Sequence, residues 1–440
     1  MNLAESLQQQ PFQGYAYSYP HKMAYRALDP AIPLQSLWAG EDHRALFLYV
    51  HVPFCEMRCG FCNLFTTTNA APSQVDAYLD ALERQMETLG EILGAHQFGR
   101  AAFGGGTPTF LSEAEIVRLF TLVEKHLSRP APGTPISFEM SPATVTPARM
   151  KLLKELGVTR ASLGVQSFLL EETRSLGRPQ DPVRVGEALD CMRDAGFPIV
   201  NIDLIYGAQN QSAASWQHSL DTAMRHLPEE IYLYPLYVRP LTGLNRIGRE
   251  PSDIRLALYR QAREFLLEQG YEQLSMRLFR RTGIAVEAAD GPVYCCQEDG
   301  MVGFGPGARS YTNTVHYSSE YAVGRGGIQE IIHDFAGRTH AQFAMADYGY
   351  VLNADEQQRR YIIKSLLRKE GLDLKKYAVR FSSGALYDFP ELNDLFEHGL
   401  AINSGTQVSL TPDGMERSDT IGPWLFSGAT RSLIAQYELT

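Results

Sequence analysis

The 440 residues carry 40 Lys and Arg against 50 Asp and Glu, a net charge of -10, and 44% of them are hydrophobic. That balance suits a folded globular enzyme and argues against both a disordered chain and a broad electrostatic grip on nucleic acid. No apolar run reaches the ~18 residues of a membrane span, the N-terminus lacks an apolar signal core, and six cysteines are too few for a disulfide scaffold. A reducing cytoplasm, with no membrane association, is expected.

Residues 1–45 read as an extension rich in Tyr and Pro, with YSYPHKMAYR at 17–26 carrying rings that need an apolar surface. The body starts at Ala45, where ALFLYVHVPF reads as a buried strand of the parallel kind. Cysteines follow, then a helix over 74–93, the strand and glycine turn RAAFGGGTPTFL at 100–111, and a helix from Leu111 to His126 capped by Ser112. The rhythm repeats: strands ISFEMSP (136–142), RASLGVQSF (160–168), PIVNIDLIYG (198–207) and IYLYPLYV (231–238) precede helices at 147–156, 182–195, 212–226 and 252–269. Alternation at this pace predicts βα units around a parallel sheet, with functional residues just past the strand ends. YEQLSMRLFRR at 271–281 follows, and past 310 the alternation decays.

The boundaries expected are an extension over 1–45, an α/β core over 46–310, a connector over 311–352 and a small, mainly helical domain over 353–440. In the last, residues 353–371 predict an amphipathic helix with an Asn cap, two shorter helices follow, and VSL plus TPDG predicts a strand and its hairpin turn. A winged-helix-like unit of this kind could meet nucleic acid, but its scattered lysines favour a lid or wall on the core.

The strongest chemical signal is HVPFCEMRCGFCNLF at 51–65, where Cys55, Cys59 and Cys62 are spaced CxxxCxxC directly after a buried strand. A structural zinc site wants four ligands, and no second pair answers here because Cys295 and Cys296 are adjacent. Three thiolates suit a [4Fe–4S] cluster with one iron open to a small molecule. His51, before Pro53 in the strand, is expected to pack and hydrogen-bond. Gly104, Gly105 and Gly106 before Thr107 let backbone approach a ligand and expose N–H groups to it. Glu139 in an apolar strand needs a partner, and Gln166, Ser167, Arg178 and Asp203 are polar residues near later strand ends.

The chain resembles the radical S-adenosylmethionine (SAM) superfamily in CxxxCxxC. In LYVHVPFCEMRCGFC, FGGGTPTFL, FEMSPATVT, RASLGVQSF, LGRPQ, NIDLIYG and VGFGPGARS it resembles the oxygen-independent coproporphyrinogen III oxidase (HemN)-like family, methyltransferases and cyclopropanases included. The resemblance implies a TIM-type barrel, partial or complete, with an N-terminal strap and a C-terminal domain. It implies a [4Fe–4S] cluster on Cys55, Cys59 and Cys62, and SAM, in two molecules, cleaved to a hydrogen-abstracting radical. It places Tyr49, Phe61, Gly104, Gly105, Gly106, Thr107, Glu139, Gln166, Arg178, Asp203, Gly305 and Ala308 at the cofactor, with Tyr49 and Glu139 also candidates for catalysis. The expected partners are a small-molecule substrate and a reductant such as flavodoxin or ferredoxin, and the expected state is a monomer. Three departures matter: Asn63 and Leu64 stand where porphyrinogen oxidases continue with another cysteine, SMRLFRR at 275–281 stands where chaperone-like members carry an acidic and asparagine-containing pattern, and Arg309 stands at a usually small or histidine position. Methyl or methylene transfer, cyclopropanation included, is the first expectation. Oxidative decarboxylation of a propionate and a haem chaperone or haem-opening role are the alternatives. Arg239 is open between a pocket role and an outer salt bridge. The strap and C-terminal domain are expected to close over the substrate side.

Overall fold

The computed structural model describes residues 2–9, 11–285 and 292–438. Its main sheet has thirteen strands. In chain order they are β1 (Arg26–Pro33), β2 (Leu46–Val52), β3 (Phe98–Gly105), β4 (Ile136–Met140), β5 (Arg160–Gln166), β6 (Ile199–Tyr206) and β7 (Glu230–Pro235). They continue with β8 (Tyr271–Gln273), β9 (Leu278–Arg281), β10 (Met301–Phe304), β11 (Arg309–Tyr311), β12 (Val315–Ser318) and β13 (Met345–Val351). The spatial order is β1-β13-β12-β11-β10-β2-β3-β4-β5-β6-β7-β9-β8.

Strands β2 to β7 are six parallel neighbours linked by helices, and β10 joins β2 in parallel. This is the βα rhythm expected from the apolar runs: Leu46, Leu48, Val50 and Val52 of β2 are fully buried against the helix Pro72–Leu93 layer. The sheet stays open, because β1 and β8 are edges not bonded to each other. YEQLSMRLFRR becomes the antiparallel pair β8 and β9, which covers β7.

Two expectations are corrected. The stretch 311–352, expected as a connector, supplies β12, β13 and the helix Arg325–Gly337, and β1 from the extension pairs antiparallel with β13. The pairing spans more than three hundred residues, so no local periodicity announces it. In the C-terminal part, the hairpin turns at 404–406 between Ala401–Asn403 and Gln407–Leu410. TPDG instead starts the helix Pro412–Glu416: Thr411 accepts from Gly414 N and Pro412 takes the first helical turn, where its missing N–H costs nothing.

The strap seats on this C-terminal part. Tyr17 Oη donates to Leu367 O at 3.1 Å, Tyr19 bonds the Glu356 carboxylate, and Tyr19 packs on Phe426 with ring centroids 5.0 Å apart. Among the described residues, no helix is long and apolar enough to cross a membrane.

Candidate active site

The cysteine loop is closed at its base before any metal is considered. Phe54 and Cys55 pair with Thr67 and Thr68, and Thr67 N donates to Pro53 O at 2.7 Å. His51 packs and bonds as its strand position suggested: Nε2 meets Phe65 O at 2.7 Å and Nδ1 meets Tyr49 Oη at 3.2 Å. Burial holds that imidazole down to about 4, so it stays neutral. At the tip, Gly60 N donates to Leu176 O at 3.1 Å, and a Cβ at Gly60 would stand 2.8 Å from that oxygen. Only glycine allows this approach, which brings LGRP over the cysteines.

Each thiol has a polar neighbour. Thr107 Oγ1 donates to Cys55 Sγ at 3.6 Å, Arg178 Nη1 donates to Cys59 Sγ at 3.6 Å, and Thr66 Oγ1 lies 3.7 Å from Cys62 Sγ. Burial pushes the Cys55 thiol up to about 12 and the Cys59 thiol upward as well. Thiols this disfavoured as anions ionise when a metal compensates them, which is the chemistry of a ligand set. Among the described residues no three His, Cys, Asp or Glu side chains close up as donors to one ion. A structural zinc wants four protein ligands and three thiols stand here, whereas a four-iron cluster takes three thiolates and leaves one iron open. The donor set fits the cluster.

The glycine loop differs from expectation. Gly105 N donates to Glu139 Oε2 at 3.2 Å, Gly106 N to Val52 O at 2.7 Å and Thr107 N to Phe54 O at 2.8 Å. Gly106 N and Thr107 N pin the start of the cysteine loop to β3, while Gly105 N is taken by the Glu139 side chain of the next strand. Gly105 has φ +104°, and a Cβ there would meet the His51 ring at 2.4 Å. A Cβ at Gly104 would stand 2.8 Å from the Glu139 carboxyl.

The interior wall carries two acids. Glu139 is open to solvent at its own surface yet ringed by protein, and burial with the neighbouring Asp203 pushes it up to about 7. Burial also raises Asp203 to about 6, against the pull of Arg160 and a 2.7 Å bond from Asn201 Nδ2. Gln166 has φ 67° at an irregularity in the β5–β6 register, and its Nε2 converges with Arg178 over Gly164. Arg178 and Gln166 thus join Cys59. Ser167 does not: its hydroxyl donates to Glu172 at 2.7 Å within a buried network.

Phe61 packs with the cluster of Leu176, Ile205, Leu236 and Leu244. Gly305 and Ala308 follow β10 in a turn beside β2: a Cβ on Gly305 would stand 2.5 Å from His51 O, and Gly305 N donates to Gln85 Oε1 at 2.9 Å. Arg239 makes no ion pair among the described residues; its guanidinium lies 4.4 Å over the Tyr237 ring. Lys22 Nζ sits 3.5 Å over the Tyr321 ring and 3.5 Å from Asn63 O, so the strap touches the residue after Cys62.

Sequence reasoning missed the polar floor beneath the acids. Arg160 Nε bonds Glu230 Oε2 at 2.6 Å, Arg280 Nε bonds Glu230 Oε1 at 2.9 Å, and Asn201 Nδ2 bonds Ser162 Oγ at 2.7 Å. The available signal was period two: Arg160 and Ser162, Asn201 and Asp203, Glu230 and Tyr232 alternate on one strand face.

Comparison with known proteins agrees with this geometry. Residues 49–223 match the radical SAM superfamily. The chain is 29% identical over 373 residues to the heme chaperone HemW of Bacillus subtilis, covering 83% of this chain and 95% of that one. It is 28% identical over 429 residues to the oxygen-independent coproporphyrinogen III oxidase of Salmonella typhimurium, covering 91% of each. The structure of coproporphyrinogen III oxidase (HemN) from Escherichia coli superposes with a TM-score of 0.79 at 25% identity, over 93% of this chain and 96% of that one. With the three-thiol loop, the six βα units and a likeness that runs on through the helical C-terminal part, the chain carries a radical SAM domain over residues 49–223 and is similar to HemN-like radical SAM enzymes over nearly its whole length.

Proposed function

We propose that this enzyme oxidatively decarboxylates a propionate side chain on a porphyrinogen-like substrate. The observation that carries the reading is a set of basic side chains beside the cysteine loop: Lys22 feels Arg309, Arg239 and Cys62, burial holds its ammonium well below its ordinary value, and none of the three basic residues pairs with a carboxylate among the described residues. A substrate bearing several carboxylates supplies what they lack. The names of full-length relatives, an oxidase and a heme chaperone, favour this substrate class over methyl acceptors.

The cluster with SAM, when bound, supplies a radical that takes one hydrogen atom from the substrate. The chain's own part is positional. Arg178 and Thr107 orient thiols, Gly60 holds LGRP over them, and the strap with the C-terminal helices excludes water from the mouth. The substrate balance is one hydrogen atom and one electron lost and one CO2 released, leaving a vinyl group; a one-electron acceptor takes the electron. Methyl or methylene transfer with two SAM molecules is the second reading, favoured by Asn63, whose carbonyl holds Lys22 and Tyr321 where porphyrinogen oxidases carry a further cysteine.

Anaerobic incubation of the reconstituted enzyme with SAM, reductant and a porphyrinogen tetrapropionate decides between them. The proposal expects CO2 and 5′-deoxyadenosine in equal amounts with a vinyl product. S-adenosylhomocysteine formed without CO2 would replace it with methyl transfer, and retention of haem without turnover would replace it with a chaperone role.

A further inference from the structure

Around one ring, Tyr311 of β11, three cations gather. Arg309 Cζ lies 5.7 Å from the ring centroid, Arg360 Cζ 5.9 Å and Lys364 Nζ 5.7 Å. Arg309 and Tyr311 alternate with Ser310, so they share one face of β11, and Arg309 is electrostatically coupled to the Tyr49 and Tyr25 phenols. Arg360 and Lys364 come from the helix Ala354–Leu366, four residues apart on one side of it.

Burial makes this arrangement costly. Tyr311 and Arg360 are each 6% exposed and Lys364 is 8% exposed. Arg360 donates Nη1 to Gln297 O and Nη2 to Cys296 O at 2.9 and 3.1 Å, but its buried Nε has no partner. Lys364 makes no ion pair among the described residues, and its surroundings are Arg360, Arg368 and Arg309 with the Cys296 thiol. Glu41, the carboxylate that Arg360 influences, is held by Asn313 N and Nδ2 at 2.8 and 2.9 Å. His316, fully buried and 4.2 Å from Tyr311 ring to ring, has neither nitrogen bonded. Burial brings the Lys364 ammonium down to about 7, so an anion seated among these groups would hold it charged.

We infer that Arg309, Arg360 and Lys364 form an anion site around Tyr311 that takes a carboxylate of the substrate. The unpartnered Arg360 Nε, the Arg309 guanidinium and the Lys364 ammonium match the oxygens of a carboxylate, and Tyr311 offers a ring wall for the carbon attached to it. The site deepens the porphyrinogen reading. Lys22 and Arg239 meet carboxylates near the cysteines, and the Tyr311 cluster, joined to them through Arg309, meets a further one, which sets which side chain lies beside the reacting centre. No covalent step is involved.

Two arms test it on the reconstituted enzyme. In the first, a porphyrin tetrapropionate and its tetramethyl ester are titrated by absorbance. The tetrapropionate is expected to bind at least tenfold tighter than the ester. Arg309→Gln and Lys364→Met should each bring that ratio toward one, Lys364→Arg should preserve it, and ester affinity reports on folding. An unchanged ratio in both charge-removing variants overturns the site. So does Cys296→Ser raising the ratio well above that of the wild type, because the thiolate would then be the resident counterion whose removal frees the cations. In the second arm, citrate and chloride at equal ionic strength are compared by thermal denaturation. Citrate should raise the melting temperature of the wild type more than chloride does, and of Lys364→Met no more than chloride does; equal shifts in the wild type overturn the site. If neither porphyrin binds while citrate behaves as expected, the site stands and the porphyrinogen reading falls.

Discussion

Replacing Asp419 with Ala tests how the C-terminal part is locked to the barrel. Asp419 Oδ2 accepts from Arg277 Nη2 at 2.6 Å and from the Tyr237 hydroxyl, with the Arg277 and Asp419 side chains 3% and 1% exposed. The guanidinium also lies 4.7 Å over the Tyr15 ring and 5.8 Å from that of Tyr17, so one buried charge pair joins the barrel, the strap and the C-terminal helix Ser418–Trp424. Arg277 Nε and Nη1 have no other acceptor, so the Ala variant leaves an uncompensated buried cation. Removing one partner of a buried pair costs about 3–5 kcal/mol. The two aromatic contacts, present before and after, offset about 1–2 kcal/mol of the cation's burial in both states and do not change the sign.

With a urea dependence of about 3 kcal/mol per molar, that loss lowers the unfolding midpoint by about 1–2 M. Near-ultraviolet circular dichroism of the anaerobic protein through a urea series is the assay. Asp419→Asn keeps a partner for Tyr237 and should fall between wild type and Ala. The double variant Arg277→Met with Asp419→Leu removes both charges and should recover most of the loss, because apolar residues of similar volume replace a buried pair at little cost. An Asp419→Ala midpoint within experimental error of the wild type, or a double variant as unstable as the worse single one, refutes the lock.

Glu139→Gln should alter the pH dependence of stability. The fold holds this carboxyl protonated up to about 7 while the unfolded chain ionises it near its ordinary value, so wild-type stability falls as pH rises between the two. The variant should flatten that fall, with melting temperatures converging at pH 4 and diverging in its favour at pH 8; parallel curves would contradict the assignment. Gly105→Ala, strained at φ +104° and driven into His51, should cut iron per chain to under half of wild type, checked by iron and sulfide analysis. Cys59→Ala should likewise lose the cluster, whereas joint replacement of Cys191, Cys295 and Cys296 by Ser should leave iron content unchanged.

The parts of this molecule visible in the sequence are those whose causes are local. A buried parallel strand is an apolar run, and Leu46–Val52 or Ile199–Tyr206 needs no neighbour to be recognised. CxxxCxxC lies within eight positions, and Asn353 caps its helix through a 2.9 Å bond to Glu356 N three residues on. What was missed depends on the closed chain. Arg160 and Glu230 look like surface residues until β5 and β7 turn them inward to each other, 70 positions apart. The GGGTP amides look free until β2 and the cysteine loop arrive to accept them. TPDG is a turn or a helix start with equal local merit, and packing of Met415 and Ile421 in the cores selects the helix.

Tyr49 shows what the folded interior adds. Its phenol feels both the Glu139 carboxyl and the Arg309 guanidinium. On the proposed reading it stands between an acidic wall of Glu139 and Asp203 and a basic wall of Lys22, Arg239 and Arg309. A field divided in this way orients ligands by charge. A group carrying an ammonium and hydroxyls is favoured toward the acids, and a polycarboxylate toward the cations. On the proposed reading, the ring of Tyr49 separates the two at the place where the hydrogen atom must pass. Exchanging the charge of either wall would then weaken the ligand on that wall without moving the other, which is why Arg309 rather than any cysteine is the residue at which substrate choice is expected to diverge among chains with the same cluster loop.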